Sequence, residues 1–127
     1  MHYLSQEEIL QIHSMVIDEI GGMHGIRDLN AILSAVATPK QKVFGKELYP
    51  TVFSKAGVCV RDIIYNHPFL DGNKRTGMAA AFVFLENNGY RAIAKEGEIY
   101  KFALKVIQKK LDVEAIGKWL KKNTERI

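Results

Sequence analysis

The sequence predicts an all-α domain: a compact bundle of about six helices around a buried central helix, with at most a short strand or hairpin beside them. Three observations carry that prediction. Apolar residues recur at helical spacing in most of the segments that Gly and Pro mark off. Capping residues stand at the head of several segments, namely Ser5, Asp28, Thr51 and Asp112. One run, Gly77 to Leu85 ("GMAAAFVFL"), offers hardly any polar surface, as suits a helix with neighbours all round it. The chain has 127 residues, a length for one domain, 1–127. Its 47% hydrophobic and 25% charged residues are ordinary for a globular protein, so disorder is not the default.

The first helix should begin after Ser5. Glu8, three residues on, completes a capping box, and Leu4 and Ile9 can close a hydrophobic staple. It should run to about Ile20, where Gly21-Gly22 stops it, and "GGMHGIRD" reads as a loop. Asp28 caps a second helix, with Leu29, Ile32, Leu33 and Val36 expected on its inward face and Pro39 as its stop. Residues 39–50, "PKQKVFGKELYP", lie between two prolines and form a loop or short hairpin. Thr51 caps a third helix that should end near Asn66, because Pro68 disfavours helical geometry at His67. A fourth begins near Gly72 or Asn73 and stops at Asn88-Gly89. Its small residues, Gly77, Ala79, Ala80 and Ala81, allow close approach and mark it as the central helix. "YRAIA" reads as a short strand. A fifth helix turns Ile99, Phe102 and Val106 inward and Lys101, Lys105 and Lys109 outward. The last, behind Asp112, buries Val113, Ile116, Trp119 and Leu120.

The totals exclude some functions. A formal net charge of +4 and a pI near 9.2 suit a phosphate-bearing ligand, an acidic partner or nucleic acid, without choosing among them. Nucleic acid as a direct ligand is disfavoured, because the basic residues do not interleave with aromatics. The lysine row reads as a solvated face, or as a docking surface for an acidic partner. Cys59 is the only cysteine, so no internal disulfide can form; it reads as a buried structural thiol. No basic leader precedes an apolar run, and Gly77–Leu85 falls far short of the roughly 20 residues a membrane span needs. A cytoplasmic location and no membrane partner are therefore expected. His2, His13 and His24 show no metal-ligand spacing.

The stretch that carries chemistry is "NHPFLDGNKRTG", Asn66 to Gly77. A helix starting near Gly72 would hold Lys74 and Arg75 in its first turn, at the positive end of its dipole. There each cation costs on the order of 0.3–1 kcal/mol. A bound anion reverses that sign, and the unpaired N–H groups of a helix start are a ready anion site. Gly72 would remove a side chain where a phosphate could approach the backbone. Asp71 is a hard oxygen ligand suited to Mg²⁺ held jointly with phosphate oxygens. His67 carries an imidazole that can accept a proton near neutral pH. A base, a metal carboxylate and a phosphate cradle so close together match the parts of phosphoryl transfer. Taken one by one, the same residues are ordinary: a capping or surface histidine, a core phenylalanine, a helix-start aspartate and a turn glycine.

"HPFLDGNKRTG" closely resembles the active-site motif of the Fic/Doc family, in its death-on-curing branch. "GGMHGIRD", "FGKELYP", "FLENNGY" and "IGKWLKK" are similar to that branch too, in the expected order. The resemblance implies an all-α fold and transfer of part of a nucleotide to a protein hydroxyl. It implies His67 as general base, Phe69 as the anchor of the loop, and Asp71 as the Mg²⁺ or phosphate-orienting residue. Gly72, Asn73 and Lys74 would form the anion hole, and Arg75 would grip a phosphate. Many adenylyl-transferring members have Gly where this chain has Lys74, and a second arginine where it has Met78. Both departures are shared with the death-on-curing toxins, which pass on the γ-phosphate of ATP. The resemblance thus implies ATP as substrate, Mg²⁺ as cofactor, elongation factor Tu as target and a cognate antitoxin as partner. Glu96-Gly97 and Glu86-Asn87 do not fit the self-inhibitory motif of some Fic proteins, since Ala92 and Phe82 stand four residues before them. Inhibition is therefore expected from a separate protein. The 39–50 loop would be the flap that aligns a target. AMP transfer and a non-catalytic basic binding module are the alternative readings. Neither a P-loop nor a G-x-G-x-x-G motif is present.

Overall fold

Capping chemistry decides where the helices begin. In the computed structural model, which describes residues 1–127, α1 (Gln6–Ile20) starts from a complete capping box. The Ser5 hydroxyl accepts from the Glu8 N–H, and the Glu8 carboxylate accepts from the Ser5 N–H, both at 3.1 Å. Asp28 caps α2 (Leu29–Ala37) through the Ala31 N–H, and Thr51 with Ser54 forms a second box at α3 (Val52–Asn66). After α4 (Asn73–Asn87) and α5 (Glu96–Gln108), Asp112 caps α6 (Val113–Lys122). A 3₁₀ turn, Thr38–Lys40, follows α2.

The centre of the bundle is a pair of helices. α3 packs against α2, α4, α5 and α6, while α4 packs against α1, α3 and α5. The expected central helix α4 thus shares that role with α3, whose residues from Lys55 to Val60 are all buried. Glycines let the backbones meet. A Cβ on Gly77 would stand 3.1 Å from Ile64, and one on Gly57 would stand 2.9 Å from the Val113 carbonyl. Cys59 is buried as expected, and burial, helped by Asp62, pushes its thiol up to about 12. Lys101, Lys105 and Lys109 are exposed. No helix is long and apolar enough to cross a membrane.

One expectation needs correction, and one expected strand finds a partner from the far end of the chain. On α2, Leu29 and Leu33 are 47% and 44% exposed, and the buried face is Ala31, Ile32 and Ala35. Small residues let α2 lie closer to α3 than leucines would. The Asp28 N–H, bonded to the Pro68 carbonyl at 3.0 Å, fixes the start of the helix. The strand at Tyr90–Ala92 (β3) exists, but its partner is the chain's last strand, β4 (Thr124–Arg126), which no local pattern announced. The hairpin between the prolines is real: β1 (Lys42–Val43) pairs with β2 (Lys46–Glu47) across Phe44 and Gly45, both at positive φ. Lys55, only 1% exposed, pins it. Its ammonium donates to the Glu47 carboxylate (2.9 Å) and to the Tyr49 and Pro39 carbonyls (2.6 and 3.1 Å).

Candidate active site

The motif occupies the corner between α3 and α4. His67 is the C-cap of α3, in the left-handed region at φ 46, ψ 60. For a residue with a Cβ that conformation costs about 1–2 kcal/mol. The residue is exposed and its imidazole makes no hydrogen bond within the chain. Phe69 is only 1% exposed, its side chain in the core beneath the loop. Its ring stacks on His13 of α1, with centroids 3.7 Å apart and planes 3° from parallel.

At the start of α4 the N-cap is Gly72, at φ 75, with no side-chain cap. The N–H groups of Asn73, Lys74 and Arg75 have no backbone acceptor. Asp71, Gly72, Asn73, Lys74 and Arg75 line one cleft of about 210 Å³, together with Tyr100. The cations therefore do sit at the positive end of the helix, beside an open cleft. His67 lies outside that cleft, at the far end of the loop. Arg75 reaches α5, where its guanidinium meets the Glu96 carboxylate at 3.2 Å and lies over the Tyr100 ring at 4.3 Å.

Two of these residues also have structural tasks. A Cβ on Gly72 would meet Ile17 of α1 at 2.8 Å. Glycine suits the positive φ there and the close approach of Ile17. The Asn73 side chain is already engaged: its oxygen accepts from the Phe69 N–H and its amide donates to the Phe69 carbonyl, both at 3.0 Å. It staples the loop, and the second amide hydrogen and the backbone N–H of Asn73 remain as donors.

Asp71 is held on three sides. One carboxylate oxygen accepts from the Gly72 N–H at 2.9 Å and the other from the Met23 N–H at 3.2 Å. Its carbonyl, which can only accept, accepts a hydrogen bond from His13 Nε2 at 2.8 Å. Burial is the main cause that lowers the His13 pKa, keeping a neutral imidazole with its proton on that nitrogen. A side chain on Gly22 would strike the Asp71 carboxylate at 2.7 Å. Each carboxylate oxygen keeps a lone pair for a cation. No cluster of three His, Cys, Asp or Glu side chains exists to cage a metal. The donor set therefore fits Mg²⁺ held by one carboxylate and completed by phosphate and water oxygens.

Sequence reasoning missed four supports: His13, Gly22, Arg27 and Tyr100. His13 had a usable signal, since it falls in the buried stripe Ile9, Ile12, Ile17, where a polar ring needs a partner. Gly22 and Arg27 lie in the segment "GGMHGIRD" that carries the resemblance, but their contacts, like that of Tyr100, have no local signal because the partners are far off in sequence.

Residues 3–85, which include the whole motif, match the model of the Fic/DOC family. Over 92 residues, 72% of this chain and 68% of the relative, the chain is 38% identical to Toxin Doc of Mycolicibacterium smegmatis. Over 89 residues, 70% of each chain, it is 28% identical to Protein kinase doc of Escherichia phage P1.

Proposed function

The chain belongs to the Fic/DOC family, and on that premise we propose that it is the toxin of a toxin–antitoxin module. In this reading it moves the γ-phosphate of ATP, with Mg²⁺, to a hydroxyl of a protein target. The observation that carries the reading is the start of α4: an uncapped helix end, two first-turn cations and Asp71 around one cleft. That one relative is named a toxin and another a protein kinase supports it.

His67 takes the proton of the target hydroxyl. The hydroxyl oxygen bonds to the γ-phosphorus while the bond from that phosphorus to the β-phosphate oxygen breaks, and ADP leaves with the electron pair. Proton removal by a positioned base is worth typically 10²–10⁴-fold. Lys74, Arg75 and the free N–H groups of α4 offset charge on the phosphates, and Asp71 holds the metal. Magnesium supplies further charge neutralisation when bound. Met78, where nucleotidyl-transferring members carry a second arginine, is buried to 1% and cannot grip a phosphate. Elongation factor Tu is the proposed target and a separate antitoxin the proposed inhibitor.

The experiment is transfer from ATP labelled at the α or the γ position to elongation factor Tu, with His67→Ala as control. Label from the γ position, at least a hundredfold weaker in the control, is expected. Label retained from the α position would turn the reading to AMP transfer. Growth arrest that survives His67→Ala would turn it to a non-catalytic binding module.

A further inference from the structure

The loop between α1 and α2 is a backing strip for the motif. It runs antiparallel to residues 66–71: the Arg27 and Asp28 N–H groups donate to the Pro68 carbonyl, Ile26 bridges Phe69, and the Leu70 N–H donates to the Gly25 carbonyl. Backbone pairing alone leaves the end of α3 unfinished. Its last carbonyls lack helical partners, its last turn holds no cation, and its cap, His67, sits in a conformation that favours glycine.

Arg27 completes that end from 40 residues away. Its Nε donates to the His67 carbonyl at 2.5 Å and its Nη2 to the Asn66 carbonyl at 2.6 Å. No carboxylate competes for the guanidinium. A fixed positive charge therefore lies at the negative end of the α3 dipole, with two donors on the two carbonyls that define the turn. A lysine would offer a flexible point charge in place of the planar fork that matches two carbonyls at once.

We infer that Arg27 is a positioning residue for the transfer, holding His67 in the left-handed turn from which its imidazole meets the hydroxyl. This rests on the phosphotransfer reading. The cleft at α4 has its own supports, Asn73 on Phe69 and His13 on Asp71, so Arg27 sets the base and not the phosphates.

The test compares Arg27→Ala and Arg27→Lys with the wild-type chain. For Arg27→Ala, kcat should fall roughly 30- to 100-fold, the scale of a misplacement near 1 Å, while KM for ATP stays within about twofold. The melting temperature should move by less than about 5 °C. Arg27→Lys should fall between, and millimolar guanidinium should restore Arg27→Ala at least in part. Unchanged kcat, or a fall in kcat matched by a melting drop beyond about 10 °C with no guanidinium rescue, overturns the inference. If the wild-type protein transfers no label at all, the phosphotransfer reading fails by itself. The ring signals of His67 in ¹³C-¹H NMR spectra then decide about Arg27. Arg27→Ala should shift them, with return on adding guanidinium, and an unmoved ring overturns the role.

Discussion

The starts of α1 and α4 are the same kind of structure put to opposite uses. Both are the first turn of a 15-residue helix. α1 closes a capping box on itself: Ser5 and Glu8 exchange hydrogen bonds, and Glu7 and Glu8 place negative charge where the dipole is positive. α4 does none of this. Its cap is a glycine, its first turn holds Lys74 and Arg75, and it has no acidic residue there. One end is finished by local chemistry. The other leaves three backbone N–H groups open and is kept in shape by contacts from α1 and from the loop after it. Stability and function thus occupy different helix ends, and each end can be altered separately.

The largest break should come from Lys74→Ala with Arg75→Ala. Losing two charged donors should weaken ATP–Mg²⁺ binding roughly a hundredfold, about 2.7 kcal/mol. The folded state should keep its stability or gain about 0.3–1 kcal/mol per cation removed. Calorimetric titration and denaturant unfolding read the two quantities, and a double variant that binds normally would end the comparison. Next in size is Gly72→Ala, where a methyl group meets Ile17 and the backbone is at positive φ. It should cost about 2 kcal/mol of stability in urea unfolding. Smallest is Ser5→Ala, which should cost about 1 kcal/mol of stability and leave nucleotide affinity where it was. A change in affinity from Ser5→Ala would mean that the two ends are coupled.

Much of the molecule was legible in the residues. Ser5, Asp28, Thr51 and Asp112 mark their helices because a cap needs only a side chain and an N–H three residues on. The spacing of Phe102 and Val106 in α5, and of Ile116 and Leu120 in α6, gave their buried faces correctly. On α2 the larger residues misled. Leu29 and Leu33 outrank Ala31 and Ala35 in hydrophobicity, yet α3 accepts the flatter alanine face. In the site, Asp71, Lys74 and Arg75 came together as expected, because they are neighbours in sequence across one helix start. Gly72 and Asn73 were singled out too, but their structural tasks, the positive φ beside Ile17 and the two bonds to Phe69, depend on contacts outside the helix start.

By itself the sequence determined the helices, their starts and stops, and the charges at the head of α4, since each depends on residues within about one turn. Only the tertiary structure decided which face of α2 is buried, which strand pairs with Tyr90–Ala92, and what holds the motif. Arg27 reaches Asn66 and His67, and His13 reaches Asp71 across 58 positions. No periodicity encodes such contacts. They exist because packing α1 and α2 against the α3–α4 pair brings donors beside carbonyls that each helix end leaves unpaired.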